Sequence, residues 1–303
     1  MYIDTATLNP DYMVKYYREG LYRLVKFHRP LSPRIYERQP DDTDRGEGKL
    51  SQALSRARSV VLQLALCNDW DFFCTFTIDK TQFNRYELNT YYKAFAQWIR
   101  DYRKEYGCKI EYCLIPEQHE DGAWHMHGFM RGIPQSHLTP FVRGLHPDRL
   151  VDGHYLNWGR YAKKFGFCSF GEIRDAEACA FYITKYVTKA FDRGVTGYGA
   201  HLYYASIGLR RAVPCGDIYG HYSVLDDLLE EKFQFCSVGF VRDVDWRFWM
   251  DYCEVDEWED CGGELPDEVS IDVSSGADAY VEILGEQLSL FSDLSDLQEG
   301  RGS

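Results

Sequence analysis

Apolar positions along this chain switch between helical and strand spacing, and they predict helices interleaved with strands. Apolar residues recur at helical spacing from Ser51, a suitable N-cap, to about Cys67. The β-branched and aromatic run 71–78 predicts a buried strand. Residues 85–106 predict an amphipathic helix that ends at Gly107. Its core-facing positions are Leu88, Tyr92, Phe95, Trp98, Ile99 and Tyr102.

A β-hairpin is predicted next. Its strands cover 109–116 and 124–130, and the segment between them contains Asp121-Gly122, a pair favoured in hairpin turns. A loop-rich stretch follows, with a short helix expected near 138–145, and then a strand at 165–173.

A second long helix is predicted from Asp175, its cap, to about Phe191. Because a hairpin requires antiparallel pairing, the order of elements predicts an α+β fold. We expect an antiparallel sheet with helices packed on one face.

Charge is unevenly distributed along the chain. Residues 216–303 hold 23 acidic and four basic side chains, whereas residues 1–215 hold 30 basic and 24 acidic ones. A basic body suits phosphate binding, and an acidic tail is typical of a solvated or interacting segment. The ten cysteines form no C-x-x-C pair, and we find neither a signal-peptide pattern nor a membrane-spanning run. We therefore expect a cytoplasmic protein with reduced thiols.

The segment His125-Met-His127 is the first candidate site. Side chains alternate along a strand, so the two imidazoles share one face and can hold one divalent metal. A hard ion such as Mg²⁺ or Mn²⁺ also needs a carboxylate. Glu117 is the preferred third ligand, ahead of His119 and Glu120 in the turn. By itself, H-x-H also fits two surface histidines.

The helix of residues 176–191 carries the second candidate site. Tyr182, Tyr186 and Lys189 lie along one stripe, and Lys185 lies on the flank of Tyr182. A phenol is a weak nucleophile at neutral pH because its pKa is about 10. A metal-polarised phosphate and a nearby lysine would lower the barrier to its attack. The spacing also fits two ordinary core-facing tyrosines.

Three segments occur in the order of the motifs of HUH endonucleases. They are Thr75-Phe-Thr77, the histidine pair within 116–129, and Tyr-Ile-Thr-Lys-Tyr-Val-Thr-Lys at 182–189. The chain resembles a rolling-circle replication initiator of the kind carried by bacteriophages and small plasmids, over roughly residues 60–212. The resemblance implies a ferredoxin- or RRM-like palm and placement in the cytoplasm of a bacterial host.

The resemblance also implies a role for each matching residue. The two histidines and Glu117 would bind Mg²⁺ or Mn²⁺. Tyr182 matches the nucleophile of single-tyrosine members, with Lys185 as its lysine, and Tyr186 matches the second nucleophile of two-tyrosine members. Attack would form a 5′-phosphotyrosine bond and free a 3′-OH for a polymerase. The sequence satisfies both patterns, and we expect Tyr182 to lead.

Several side chains are expected to contact single-stranded origin DNA. Trp158 and Tyr161 are expected to stack on unpaired bases, although core aromatics fit equally well. Phosphate contacts are expected from Lys189, Arg160, Lys163, Lys164, Arg210 and Arg211. Because the chain has no G-x-x-x-x-G-K-[ST] motif, a host replicative helicase would unwind the DNA and a host polymerase would extend it.

The predicted organisation has four segments. They are N-terminal strands and a loop at 1–58, the HUH endonuclease domain at 59–215, a C-terminal extension at 216–262, and an acidic, disordered tail at 263–303. In the tail, one short segment resembles the peptide by which bacterial replication proteins bind the DNA polymerase III sliding clamp. Its contact residues would be Gln287, Leu288, Leu290 and Phe291.

Other functions stay open at the level of sequence. An HUH transposase or relaxase would use the same chemistry, and a noncatalytic DNA-binding regulator would keep the fold without it. A zinc hydrolase would need a closed set of metal ligands and would form no covalent DNA adduct.

Overall fold

Two compact units make up the described part of the computed structural model. Described are residues 10–28, 45–192, 201–232 and 236–253, with backbone alone at 45–52, 188–192 and 250. The larger unit comprises 45–192 and 201–210, and the smaller comprises the rest. The α+β class predicted from the sequence is confirmed. No helix of the described residues is long and apolar enough to cross a lipid bilayer.

Strands and helices alternate along most of the chain. The strands are β1 (Tyr12–Arg18), β2 (Leu21–Phe27), β3 (Phe72–Thr77), β4 (Glu111–Gln118), β5 (Trp124–Arg131), β6 (Leu138–Pro140), β7 (Leu156–Trp158), β8 (Cys168–Glu172), β9 (Tyr204–Ala205), β10 (Val213–Ile218), β11 (Glu231–Lys232) and β12 (Cys236–Val241). The helices are α1 (Arg45–Leu66), α2 (Leu88–Tyr106), α3 (Asp148–Asp152), α4 (Gly159–Lys164), α5 (Ala176–Asp192), α6 (Ser223–Asp226) and α7 (Trp246–Met250).

The larger unit is built on an antiparallel sheet in the order β6-β7-β8-β3-β5-β4-β9. Strand β3 lies at its centre, between β5 and β8. Successive residues of β3 face opposite sides. Phe76 packs against Phe95 of α2 and Tyr161 of α4, with ring centroids 5.5 and 4.6 Å apart. These contacts form an aromatic core on the face covered by α2 and α4.

Helices cover the opposite face as well. Phe73 of β3 packs edge-on against Phe129 of β5 and lies 6.0 Å from the ring of Tyr182 in α5. Helix α5 packs on β4 and β5, and α1 packs on α5 and β4. The prediction that helices pack on one face only is therefore wrong. The reason is that β3 presents phenylalanines to both sides, and each side needs its own cover.

Two predicted helix boundaries also differ. Helix α1 begins at Arg45, so Ser51 lies inside it and is not its cap. The first turns of α1 are polar and show no apolar periodicity from which a start could be predicted. No helix forms at 138–145, where Pro140 ends β6 and Gly144 takes a left-handed backbone. By contrast, α2 ends as predicted, because Gly107 adopts a left-handed C-cap with φ of 62°.

The smaller unit joins residues from both ends of the described chain. Its antiparallel sheet has the order β10-β1-β2-β12-β11, in which Tyr12 pairs with Ile218 on one side and Lys26 on the other. Trp249 of α7 completes its core. Segments that the sequence-based division kept apart thus share one sheet. The predicted tail at 263–303, including its clamp-binding segment, lies outside the described residues.

Substitution of Gly128 by alanine is expected to destabilise the larger unit. A Cβ at Gly128 would lie 2.0 Å from the carbonyl oxygen of Cys113, so β4 and β5 would have to separate. We expect a loss of about 2–3 kcal/mol in the free energy of unfolding, measured by chemical denaturation. Gly159→Ala is the control, because nothing lies within 4 Å of its added Cβ. Equal stabilities of the two variants would contradict the prediction.

Candidate active site

Strands β3, β5 and β4 bring polar side chains together on one sheet face. His125 lies opposite Thr77 of β3 and opposite Glu117 of β4, and His127 lies opposite Thr75. These positions share the face covered by α5 because side chains alternate along each strand. His125, His127 and Glu117 are buried, with exposed fractions of 6%, 4% and 4%. Such groups are rarely buried without a specific partner.

Each histidine is contacted by a threonine hydroxyl through the same ring nitrogen. Thr75 Oγ1 lies 3.2 Å from Nδ1 of His127, and Thr77 Oγ1 lies 3.3 Å from Nδ1 of His125. Burial lowers the pKa of His125 to about 2, and the neighbouring positive forms of His119 and His127 lower it further. His125 is therefore neutral near pH 7, which is the form that binds a metal ion.

The remaining nitrogen of His127 lies beside the carboxylate of Glu117. Nε2 of His127 is 3.0 Å from Oε2 of Glu117, is buried, and is not aligned for a hydrogen bond. Two ligand atoms bound to one Mg²⁺ at about 2.1 Å and at right angles would lie about 3.0 Å apart. Imidazole nitrogen and carboxylate oxygen also match the ligands expected for Mg²⁺ or Mn²⁺.

The donor set thus fits a divalent cation, and its third member is not gathered with the other two. Within the described ranges, no three His, Cys, Asp or Glu side chains are arranged as a metal centre. Glu117 and His127 are in contact, and His125 lies on the same face directly opposite Glu117. Of the weaker candidates, His119 stacks on His125 with ring centroids 3.8 Å apart, and Glu120 is exposed.

Helix α5 carries both candidate tyrosines to the histidines. Asp175 accepts a hydrogen bond of 2.9 Å from the backbone N–H of Ala178, so it caps the helix as predicted. The Tyr186 ring stacks on the His127 ring, with centroids 4.5 Å apart and planes 16° apart. The Tyr182 and Tyr186 hydroxyl oxygens are 2.7 Å apart and hydrogen-bonded.

Burial controls the acidity of these phenols. Tyr182 and Tyr186 are exposed by only 8% and 4%. Burial raises the pKa of Tyr186 far above its ordinary value, and the neighbouring Tyr182 raises it further. Burial also raises the pKa of Tyr182, but the hydrogen bond from Tyr186 opposes this rise. Of the two phenols, Tyr182 is therefore the one whose phenolate is favoured by the pair.

The predicted basic residues are spread over several surfaces. Lys185 is exposed, so it does not lie among the buried phenols, and the side chain of Lys189 is outside the described residues. Arg160, Lys163 and Lys164 are exposed on α4, which packs on the face opposite the histidines. Arg160 also pairs with Glu105 at 3.0 Å. Arg210 pairs with Asp69 at 3.1 Å, and Arg211 is exposed in the smaller unit.

The prediction that Trp158 and Tyr161 stack on DNA bases is wrong. Both side chains are fully buried in the aromatic core. Trp158 donates a hydrogen bond to the Tyr102 hydroxyl, and the hydroxyls of Tyr161 and Tyr91 are 2.7 Å apart. These internal partners satisfy the polar atoms of both residues, so neither is available to a base.

Sequence reasoning missed the contacts that surround the histidines. Thr75 and Thr77 were only part of a weak first motif, although they repeat the two-residue spacing of the histidines on a neighbouring strand. That shared spacing is a signal from which the contacts could have been predicted. The stacking of His119 on His125 and the burial of the whole cluster had no such signal.

Comparison with known proteins finds a match to one family. A sequence profile of the replication-associated protein family of the ORF2 type matches residues 71–191. This range contains β3, the β4–β5 hairpin and nearly all of α5, and hence both candidate sites. The match supports a role in replication initiation. No curated protein and no solved structure matches the chain.

Loss of the α5 cap is expected to destabilise the helix that carries both tyrosines. In Asp175→Ala, the backbone N–H of Ala178 loses its side-chain acceptor, at a cost of about 1 kcal/mol in the free energy of unfolding. Asp175→Asn keeps a capping oxygen and is expected to stay within a few tenths of a kcal/mol of the unsubstituted protein. Denaturant titration measures both. Identical midpoints for the alanine variant and the unsubstituted protein would show that the cap contributes nothing.

Proposed function

We propose that this chain is a rolling-circle replication initiator that nicks single-stranded DNA through a covalent phosphotyrosine intermediate. One observation carries the proposal: a hydrogen-bonded pair of phenols stacks directly on an imidazole that itself contacts a buried carboxylate. A nucleophile and a set of metal-type ligands are thus adjacent, which is the arrangement that attack on a phosphodiester requires. The family match over residues 71–191 supports the same role.

The residues that would hold the metal ion are His125, His127 and Glu117. Their two neutral imidazoles and one carboxylate suit Mg²⁺ or Mn²⁺. When bound, the ion would polarise the scissile phosphate and offset its negative charge. The direct contact of His127 with Glu117 supports this assignment, because it leaves a buried nitrogen close to a carboxylate without a hydrogen bond.

Tyr182 is the proposed nucleophile. Its phenolate oxygen attacks the phosphorus of the scissile phosphodiester after the phenol proton has passed to solvent. The bond between phosphorus and the 3′ oxygen of the preceding nucleotide breaks, and that oxygen takes up a proton to become a 3′-OH primer. The 5′ phosphate stays on Tyr182. Tyr186 donates its hydroxyl proton in a hydrogen bond to the Tyr182 phenolate, and in a second round it is itself the nucleophile.

DNA must reach phenols that are buried in the present arrangement. Helix α5 covers them, so binding of the strand requires α5 to shift relative to β4 and β5. We propose that exposed basic residues, including Lys185, hold the strand by its phosphates. The basic residues of α4 face another side of the sheet and would contact a different part of the DNA.

Transposase and relaxase functions share this chemistry, and a noncatalytic regulator would share the fold alone. Adduct formation separates the regulator from the other three. A host helicase and polymerase, and a sliding clamp bound at 287–291, are further proposed partners of the initiator.

A covalent DNA adduct on Tyr182 is the first expected result. Labelled single-stranded DNA with candidate origin sequences is incubated with the protein and Mn²⁺, then resolved on a denaturing gel, and the adducted peptide is identified by mass spectrometry. The adduct is expected to be lost in Tyr182→Phe, which removes the nucleophilic oxygen, and in His127→Ala, which removes a metal ligand.

Tyr92→Phe is the matched control for this experiment. Tyr92 and Tyr112 also form a hydrogen-bonded phenol pair, 3.1 Å apart, but on the face covered by α2. This variant should form the adduct at the rate of the unsubstituted protein. An adduct formed at full rate by Tyr182→Phe would pass the leading role to Tyr186. Binding of DNA and Mn²⁺ with no adduct in any variant would favour the regulator.

Tyr186→Phe is expected to move the pH dependence of adduct formation upward. The hydrogen bond from Tyr186 favours the Tyr182 phenolate, so its loss raises the pKa of Tyr182. A hydrogen bond to a charged group contributes about 1.5–3 kcal/mol, so the midpoint of the rate profile should rise by about 1–2 pH units. At pH 7 the rate should fall about tenfold or more. An unchanged profile would refute the donor role.

A further inference from the structure

Two contacts between β3 and β5 repeat the same geometry. Thr75 is paired with His127 and Thr77 with His125, and each hydroxyl oxygen lies within 3.3 Å of the Nδ1 atom of its histidine. The repeat arises because threonines and histidines have the same two-residue spacing on antiparallel neighbours. Both contacts leave Nε2 as the remaining nitrogen of the ring. For His127 this nitrogen is the one beside Glu117.

The chemistry of imidazole gives this repeat a consequence. A neutral imidazole has one N–H and one nitrogen with a free lone pair. Coordination through Nε2 requires the proton to be on Nδ1, and a hydrogen-bond acceptor at Nδ1 stabilises that tautomer. A threonine hydroxyl accepts such a bond. It can also donate one to a bare Nδ1, so it satisfies either tautomer without changing the proton count of the ring.

Packing alone does not explain a threonine at these positions. Thr75 is 9% exposed, and valine has the same shape and an equal preference for strands. The hydroxyl of a buried threonine requires a partner, and here that partner is a histidine nitrogen.

We propose that Thr75 and Thr77 are positioning residues that orient His127 and His125 and hold the Nε2 atom of each ring available to a divalent cation. This inference rests on the proposed function for its cation, and it assigns to two residues of β3 a role in cation affinity. Second neighbours of this kind typically change metal affinity by about 10–100-fold when they are removed.

The test measures Mn²⁺ affinity of the full chain by calorimetry, without DNA. Thr75→Val and Thr77→Val, which lose only the hydroxyl, are expected to bind Mn²⁺ at least about tenfold more weakly. Thr75→Ser and Thr77→Ser keep the hydroxyl and should restore the affinity. Thr139→Val is the control, since its hydroxyl contacts the backbone oxygen of Asn157 in another part of the sheet. If a valine variant does not fold, the alanine variant at that position replaces it.

A second measurement reports the tautomers directly. Proton–nitrogen spectra of the metal-free protein labelled with ¹⁵N-histidine should show a changed tautomer balance at His127 in Thr75→Val, and at His125 in Thr77→Val, each without the other. A structural disturbance would move both histidines together. If the unsubstituted chain binds no Mn²⁺, these spectra alone decide the role of the threonines.

The outcomes separate this inference from the proposed function. Unchanged Mn²⁺ affinity and unchanged tautomers in both valine variants would overturn the inference, whatever the result for DNA nicking. Serine variants as weak as the valine variants would also overturn it, because the methyl group would then be the cause. Hydroxyl-dependent Mn²⁺ binding by a protein that forms no DNA adduct would support the inference and overturn the nicking function.

Discussion

The antiparallel register of β3, β5 and β4 is the constraint on which the rest of the structure depends. It places His125 opposite both Thr77 and Glu117, so polar groups from three strands meet on one face. A shift of one residue would turn the histidines into the aromatic core and bring Met126 to the site. The close approach of Gly128 to Cys113 leaves no room for a side chain, which helps to hold this register. The chemistry of the site is thus set by strand pairing.

The nucleophiles and the metal-type ligands come from different elements, and their contact is a packing interface. Tyr186 lies flat on His127 and hydrogen-bonds to Tyr182, so the phenols occupy the surface of the ligand face. The same contact that brings the reacting groups together also buries them. The resting arrangement therefore protects the phenols, and reaction depends on how readily α5 separates from the sheet. Local packing of α5 then determines activity as directly as the reacting groups do.

Sequence spacing was sufficient wherever one short segment decides the result. His125 and His127 share a face because strands alternate, and Tyr182 and Tyr186 share a stripe because helices repeat. Spacing could not show which strand lies beside which, so the contacts of Thr75 and Thr77 were missed. Periodicity identified Trp158 and Tyr161 as aromatic but could not decide between core and surface, since that depends on α2. The pairing of β1 with β10 joins residues far apart in sequence and left no local signal.

The pairing of β1 with β10 also fixes an order of events during synthesis. Strands β1 and β2 leave the ribosome first, but a two-stranded hairpin is only marginally stable by itself. Their neighbours β10 and β12 follow about 200 residues later, which at about 5–20 residues per second is on the order of 10–40 s. All the strands of the larger sheet are translated within this interval. The unit that carries the histidines and tyrosines can therefore fold while the first residues of the chain still await their partners.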